Sequence, residues 1–159
     1  MDSRTKLFGH AVHPMLIPFP LGLLTAAVIF DIIDRLRDSG SWEQTSSITM
    51  VAGLLGGVVA APFGLRDWLA LPGATRAKRI GLWHAGANVT ALVLFFISWL
   101  LHRDDPSAAS LILGLAGLAV ATVGAWFGGE LIDRLGVGVN RGMDLNAPSS
   151  LSDQPIVKI

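Results

Sequence analysis

Two stretches of this chain, Met15–Phe30 and Leu82–Leu101, contain no Asp, Glu, Lys or Arg, and nothing constrains its fold more. Runs of that length are too apolar for the surface of a soluble domain. At about 20 residues per crossing they suit helices that span the hydrocarbon of a bilayer. Charge is scarce throughout: 15% of the 159 residues are charged, against about 25% in an ordinary soluble domain, and the mean hydropathy is +0.56. The formal net charge of zero gives no electrostatic reason to expect a nucleic-acid partner. There is no cysteine, which removes thiol catalysis, thiolate zinc or iron–sulfur ligation, and haem attached through cysteine. The first apolar run begins too late and runs too long for a cleavable signal segment, so it is expected to remain as a helix.

Four segments are long and apolar enough to cross: about His13–Ile33, Ile48–Leu69, Leu82–Leu101 and Ala108–Leu131. Polar breaks separate them. Ser41-Trp42-Glu43-Gln44 has the pattern of a capping box, with Ser41 as the expected N-cap of the second span. Pro72-Gly73 closes that span, and His102–Pro106 reads as a tight turn, with His102 as a loop residue. The expected fold is all-α, an integral membrane four-helix bundle of two tandem hairpins over residues 1–139. A polar C-terminal tail, 140–159, is expected to be disordered. Of the 12 Lys and Arg residues, Arg4, Lys6, Arg66, Arg76, Lys78, Arg79, Arg134, Arg141 and Lys158 fall on one side. Arg35, Arg37 and Arg103 fall on the other. The bias predicts both termini on the cytoplasmic side.

Small residues recur every fourth position in two spans: Gly53, Gly57 and Ala61, then Gly117, Ala121, Ala125 and Gly129, beside Gly124 and Gly128. Such ridges let helices approach closely where lipid supplies no hydrophobic drive, and close packing within one bundle is expected over a homo-oligomer face. Pro18 and Pro20 each forfeit a backbone bond within the first span, predicting a kink beside the histidines.

Ionisable groups in a membrane segment are functional candidates by default. Here they gather at the end shared by the chain termini: His10 and His13, Arg66 and Asp67, His84 with Asn88, and Glu130, Asp133 and Arg134. Asp31, Asp34, Arg35 and His102 to Asp105 read as ordinary loop charges at the opposite end. A short repeat sharpens the contrast. Each hairpin opens with a histidine, His13 or His84, and closes on Phe-Gly followed by an acid, Phe63-Gly64 with Asp67 and Phe127-Gly128 with Glu130.

Three chemistries fit this cluster. A b-type haem held between His13 and His84 needs one imidazole from each side and small residues to admit the porphyrin. A non-haem transition metal would draw on His10, His13, Asp67, His84 and Glu130, since mixed imidazole and carboxylate ligands suit several such ions. Alternatively the histidines are structural, and Arg66–Asp67 and Glu130–Arg134 are interfacial ion pairs. Asn88, one turn from His84, is a candidate to fix its ring.

His13-Pro14, the acidic end of the second span, His84, Gly128-Gly129-Glu130-Leu131 and Gly136-Val137-Gly138-Val139 together resemble a bacterial membrane-domain family, domain of unknown function 2231. The likeness covers about residues 8–142. It implies four membrane helices in a bacterial cytoplasmic membrane. Because some members are joined to Rieske-type iron–sulfur domains, it also implies redox work with a partner protein. The expected function is thus membrane electron transfer through haem or a metal. The alternative is a non-enzymatic module: a small transporter, a proton pathway or an assembly partner. Neither reading assigns an enzymatic reaction.

Overall fold

The computed structural model describes residues 1–37, 40–103, 107–140 and 143–152. All four apolar segments form helices long and apolar enough to span a membrane, Val12–Arg37, Glu43–Leu69, Arg76–His102 and Ala108–Arg134. The fold is an all-α four-helix bundle, and the chain is a multi-pass membrane protein.

The first crossing is broken where the prolines fall. A short α1, Val12–Leu16, gives way at Ile17 to α2, Pro18–Arg37. The Ile17 N–H still donates to the His13 carbonyl at 3.3 Å, and that of Leu21 to Ile17 at 3.2 Å. Pro18 and Pro20 have no N–H to return to Pro14 and Leu16, so the ladder is interrupted at those two rungs.

The next two helices begin earlier than the apolar runs alone suggest, because polar turns outside the hydrocarbon extend them. The helix α3 spans Glu43–Leu69 and contains Pro62. Its N-cap position falls on Trp42 rather than Ser41, and the Trp42 side chain makes no cap bond. The Trp42 N–H is held instead by Asp34 at 2.9 Å. The helix α4, Arg76–His102, starts from Thr75, whose hydroxyl accepts the Lys78 N–H. The helix α5, Ala108–Gly129, starts in the same way from Ser107 and runs into a π-helical turn, Glu130–Arg134. Gly136, with φ of +62°, ends that turn in a conformation disfavoured for other residues.

Consecutive helices pair as two hairpins, α2 with α3 and α4 with α5, joined by contacts of α3 with α4 and of α2 with α5. Leu24, Ala27, Val28, Met50 and Phe95 form the buried core. Glycines set how closely the helices approach. A Cβ on Gly53 would lie 2.7 Å from Leu24, one on Gly57 2.7 Å from Leu92, and one on Gly117 3.0 Å from Phe95. The ridges thus serve packing within the bundle, although Ala61 and Ala125 are exposed and Gly129 meets nothing. Large apolar side chains such as Val58, Leu65, Val89 and Ile112 point outward, as they should where the surroundings are lipid.

The bundle has two ends. The termini end carries the N-terminal segment, the α3–α4 connection and the π turn; the turn end carries the α2–α3 and α4–α5 connections. Residues 1–11 fold across the termini end with a two-residue antiparallel pairing, Lys6–Leu7 with His10–Ala11. In the tail, 143–152 forms turns in which Ser150 packs near Gly9. The rest of the expected disordered tail, 141–142 and 153–159, lies outside the described residues, as do 104–106 of the expected tight turn.

Candidate functional site

His13 and His84 come from different hairpins and meet. Their ring centroids are 6.2 Å apart with the planes at 86°. Each ring is fixed in the same way by the second helix of its own hairpin. His13 Nδ1 lies 3.0 Å from the Ala60 carbonyl oxygen, and His84 Nδ1 lies 2.8 Å from that of Gly124. A carbonyl oxygen only accepts, so both Nδ1 atoms carry the hydrogen and both Nε2 atoms keep a lone pair.

Four residues past each carbonyl stands the glycine of the repeated Phe-Gly motif. A Cβ on Gly64 would fall 2.7 Å from His13 Cε1, and one on Gly128 would fall 3.1 Å from His84 Cε1. These glycines exist so that an imidazole can lie against the helix. The short repeat in the sequence is therefore a repeated contact: histidine, carbonyl and glycine, twice over. Pro62, two residues beyond Ala60, marks the same stretch of α3.

The other candidates are engaged elsewhere. Asp67 accepts the Ser3 hydroxyl at 2.7 Å and the Arg4 N–H at 2.6 Å, so it holds the N-terminal segment. Glu130 pairs with Arg76 at 2.5 Å and not with Arg134, one turn along its own helix. The half-buried pair joins the π turn to the start of α4. His10 is exposed, with Nδ1 3.1 Å from the Phe8 carbonyl. Among the described residues no group of three or more His, Asp or Glu is placed to hold a metal ion. The five-residue set is thus not assembled, whereas its two central histidines are. Asn88 does not fix the His84 ring. Its Nδ2 donates to the His84 carbonyl at 2.7 Å, and its distance to Nδ1 is 3.4 Å.

The profile of a family described as predicted membrane protein, domain of unknown function 2231, matches residues 9–141. The chain belongs to this family. The match in this DUF2231 chain takes in all four crossings, both histidine–glycine contacts and the π turn. No curated protein and no solved structure matches it significantly.

The turn end departs from expectation more than the termini end does. His102 is no loop residue: it is the last residue of α4 and 1% exposed. Asp31 and Asp34 are buried as well. Asp31 accepts from Arg35 Nε at 2.9 Å, and Arg35 Nη2 also donates to the Ser107 carbonyl at 2.8 Å and the Ser110 hydroxyl at 3.1 Å. Two signals in the sequence pointed there. Asp31 and Arg35 have the i, i+4 spacing of a helical ion pair, and Ser46, Ser98 and Ser110 place hydroxyls near the same end of three helices.

Proposed function

We propose that this chain is a redox module of a bacterial cytoplasmic membrane, with both termini cytoplasmic, in which His13 and His84 bind one transition-metal ion and exchange electrons with a partner protein. The observation that carries this reading is the pair of imidazoles with Nδ1–H tied to backbone carbonyls. That bond fixes the tautomer and raises the basicity of the remaining nitrogen, as it does for histidines that ligate metals. With metal–nitrogen bonds of about 2.0 Å, two imidazoles bound on opposite sides of one ion have ring centroids roughly 6 Å apart, close to the 6.2 Å here.

Two imidazoles and no carboxylate favour copper, since Cu(I) accepts two nitrogen ligands where zinc prefers four. A bound copper would supply a one-electron couple; the protein's part is to fix two rings and shield them between helices. The glycine contacts favour an ion over haem, because the room those glycines make is taken by imidazole rather than left for a porphyrin. The Lys/Arg bias supports the orientation.

The test is a competition titration of Cu(I) against a chromophoric chelator on protein purified in detergent. One ion should bind per chain. His13→Ala or His84→Ala should weaken binding by more than the roughly 10- to 100-fold that loss of a supporting hydrogen bond costs. Equal chelator competition in the wild type and both variants overturns the reading. A Soret band that either substitution removes replaces the ion with haem.

A second reading has its own observation: each histidine also ties a helix to its neighbour through a carbonyl. In that case His13→Gln and His84→Gln lower stability while no metal binds. The chain is then a non-enzymatic module such as a transporter, a proton pathway or an assembly partner.

A further inference from the structure

Of the buried polar and charged side chains among the described residues, all but Ser3 lie at the turn end: Asp31, Asp34, Ser46, Ser98, His102 and Ser110. One atom in this network is left over. His102 Nε2 lies 3.4 Å from the Glu43 carbonyl oxygen, which can only accept, while Nδ1 is buried without a hydrogen-bond partner and 3.6 Å from Asp31 Oδ1. A neutral imidazole has one hydrogen to offer these two oxygens. The neighbouring hydroxyls do not relieve it. Ser46 donates to the Ala27 carbonyl and Ser98 to the Ser110 carbonyl, while Ser110 donates to Ser107. Whichever nitrogen lacks the hydrogen turns its lone pair toward an oxygen in a buried site, which is unfavourable, and a second ring proton relieves this with a charge-assisted hydrogen bond.

We propose that His102 and Asp31 form a proton-binding site at the end of the bundle opposite the paired histidines. The His102 ring takes up one proton from water, giving an imidazolium whose Nδ1–H faces the Asp31 carboxylate. No electron moves and no other bond is made. A cleft of about 290 Å³ lined by Gly40, Glu43, Gln44, Ser47, Arg103 and His102 itself opens beside the ring.

The charged groups facing His102 from the packed helices are Asp31 with its partner Arg35 from α2, and Glu43 from the start of α3. Arg103 follows it directly in the chain, Asp34 is committed to the Trp42 N–H, and α5 contributes only Ser107 and Ser110. Arg35 holds the Asp31 carboxylate in place, so the carboxylate positions the proton and the imidazole accepts it. An ionisable pair buried in a membrane helix bundle beside a surface cleft is the arrangement used to load or release protons. The proposal is independent of whether His13 and His84 bind metal.

The test is ¹⁵N-histidine NMR of the full chain in lipid nanodiscs, with His102 assigned by backbone correlation so that no substitution is needed. On lowering the pH from about 9 to about 4, His102 should pass from a singly protonated ring to one protonated at both nitrogens. The new Nδ1 proton should be strongly downfield and correlated with the Asp31 carboxylate carbon. Asp31→Asn should weaken the proton affinity of His102 at least tenfold. His102 neutral across that whole range overturns the proposal, as does an unchanged midpoint in Asp31→Asn. If Asp31→Asn does not fold, the wild-type correlation decides alone: an Nδ1 proton without contact to the Asp31 carboxylate refutes the pairing.

Discussion

The two ends of this bundle use histidine in opposite ways. At the termini end, His13 and His84 are satisfied through Nδ1, pressed against glycines, and lie with their ring centroids 6.2 Å apart. At the turn end, His102 is more deeply buried, has no glycine cradle, and shares its surroundings with a carboxylate and a guanidinium. The first arrangement pairs two imidazoles across the hairpins. The second sets one imidazole beside a carboxylate. Burial and partner, more than residue type, set what an imidazole can do.

Removing the cation at the turn end should have the largest effect. Arg35→Met leaves Asp31, whose side chain is 5% exposed, as a buried charge without its partner, and should cost about 3 kcal/mol in chemical unfolding from detergent micelles. A loss under about 1 kcal/mol would put this network on a par with surface pairs and erase the contrast between the ends.

Glycine substitutions probe the termini end next. Gly64→Ala should cost roughly 1–3 kcal/mol by overpacking and disturb His13. Gly128→Ala should cost less, because its neighbour stands 3.1 Å from the built Cβ and not 2.7 Å. Gly86→Ala in α4, where a Cβ meets nothing, should be neutral or stabilise by up to about 1 kcal/mol. Equal losses at all three positions in the same unfolding measurement would show that the glycines do not act by admitting imidazole.

Asp67→Asn should then loosen the N-terminal segment without unfolding the bundle, since Asp67 binds Ser3 and Arg4 and not the histidines. Hydrogen exchange at Arg4 should speed up by about tenfold, as expected for loss of a charge-assisted bond. The smallest effect belongs to Glu130→Gln. It breaks a partly exposed pair with Arg76, worth at most about 1 kcal/mol, and should leave metal retention at the His13–His84 pair unchanged. A lost metal in Glu130→Gln would restore the five-ligand site that the geometry does not assemble.

Much of this was legible in the sequence, for a definite reason. A membrane helix must satisfy its own backbone and face lipid, so the four crossings, their order and the proline break are written in local residue choice. The facing of His13 and His84 was legible through the repeated Phe-Gly motif. What was not legible is which partner each polar group takes. Asp67 and Glu130 have the residue types of ligands, yet one is claimed by the N-terminal segment and the other by Arg76, across 54 residues of chain. Asn88 has the spacing to orient His84, yet a carbonyl on α5 lies nearer.

The turn end was misread for the same reason. His102 stands beside Arg103, and no pattern along the chain distinguishes an imidazole pointing to water from one pointing into the bundle. Sequence by itself determined that this chain lies in a membrane as two helical hairpins, because hydropathy and backbone satisfaction are properties of each segment alone. Only the tertiary structure decided which histidines meet and which one is buried beside Asp31, because hydrogen-bond partners are set by the rotation and depth at which four helices pack.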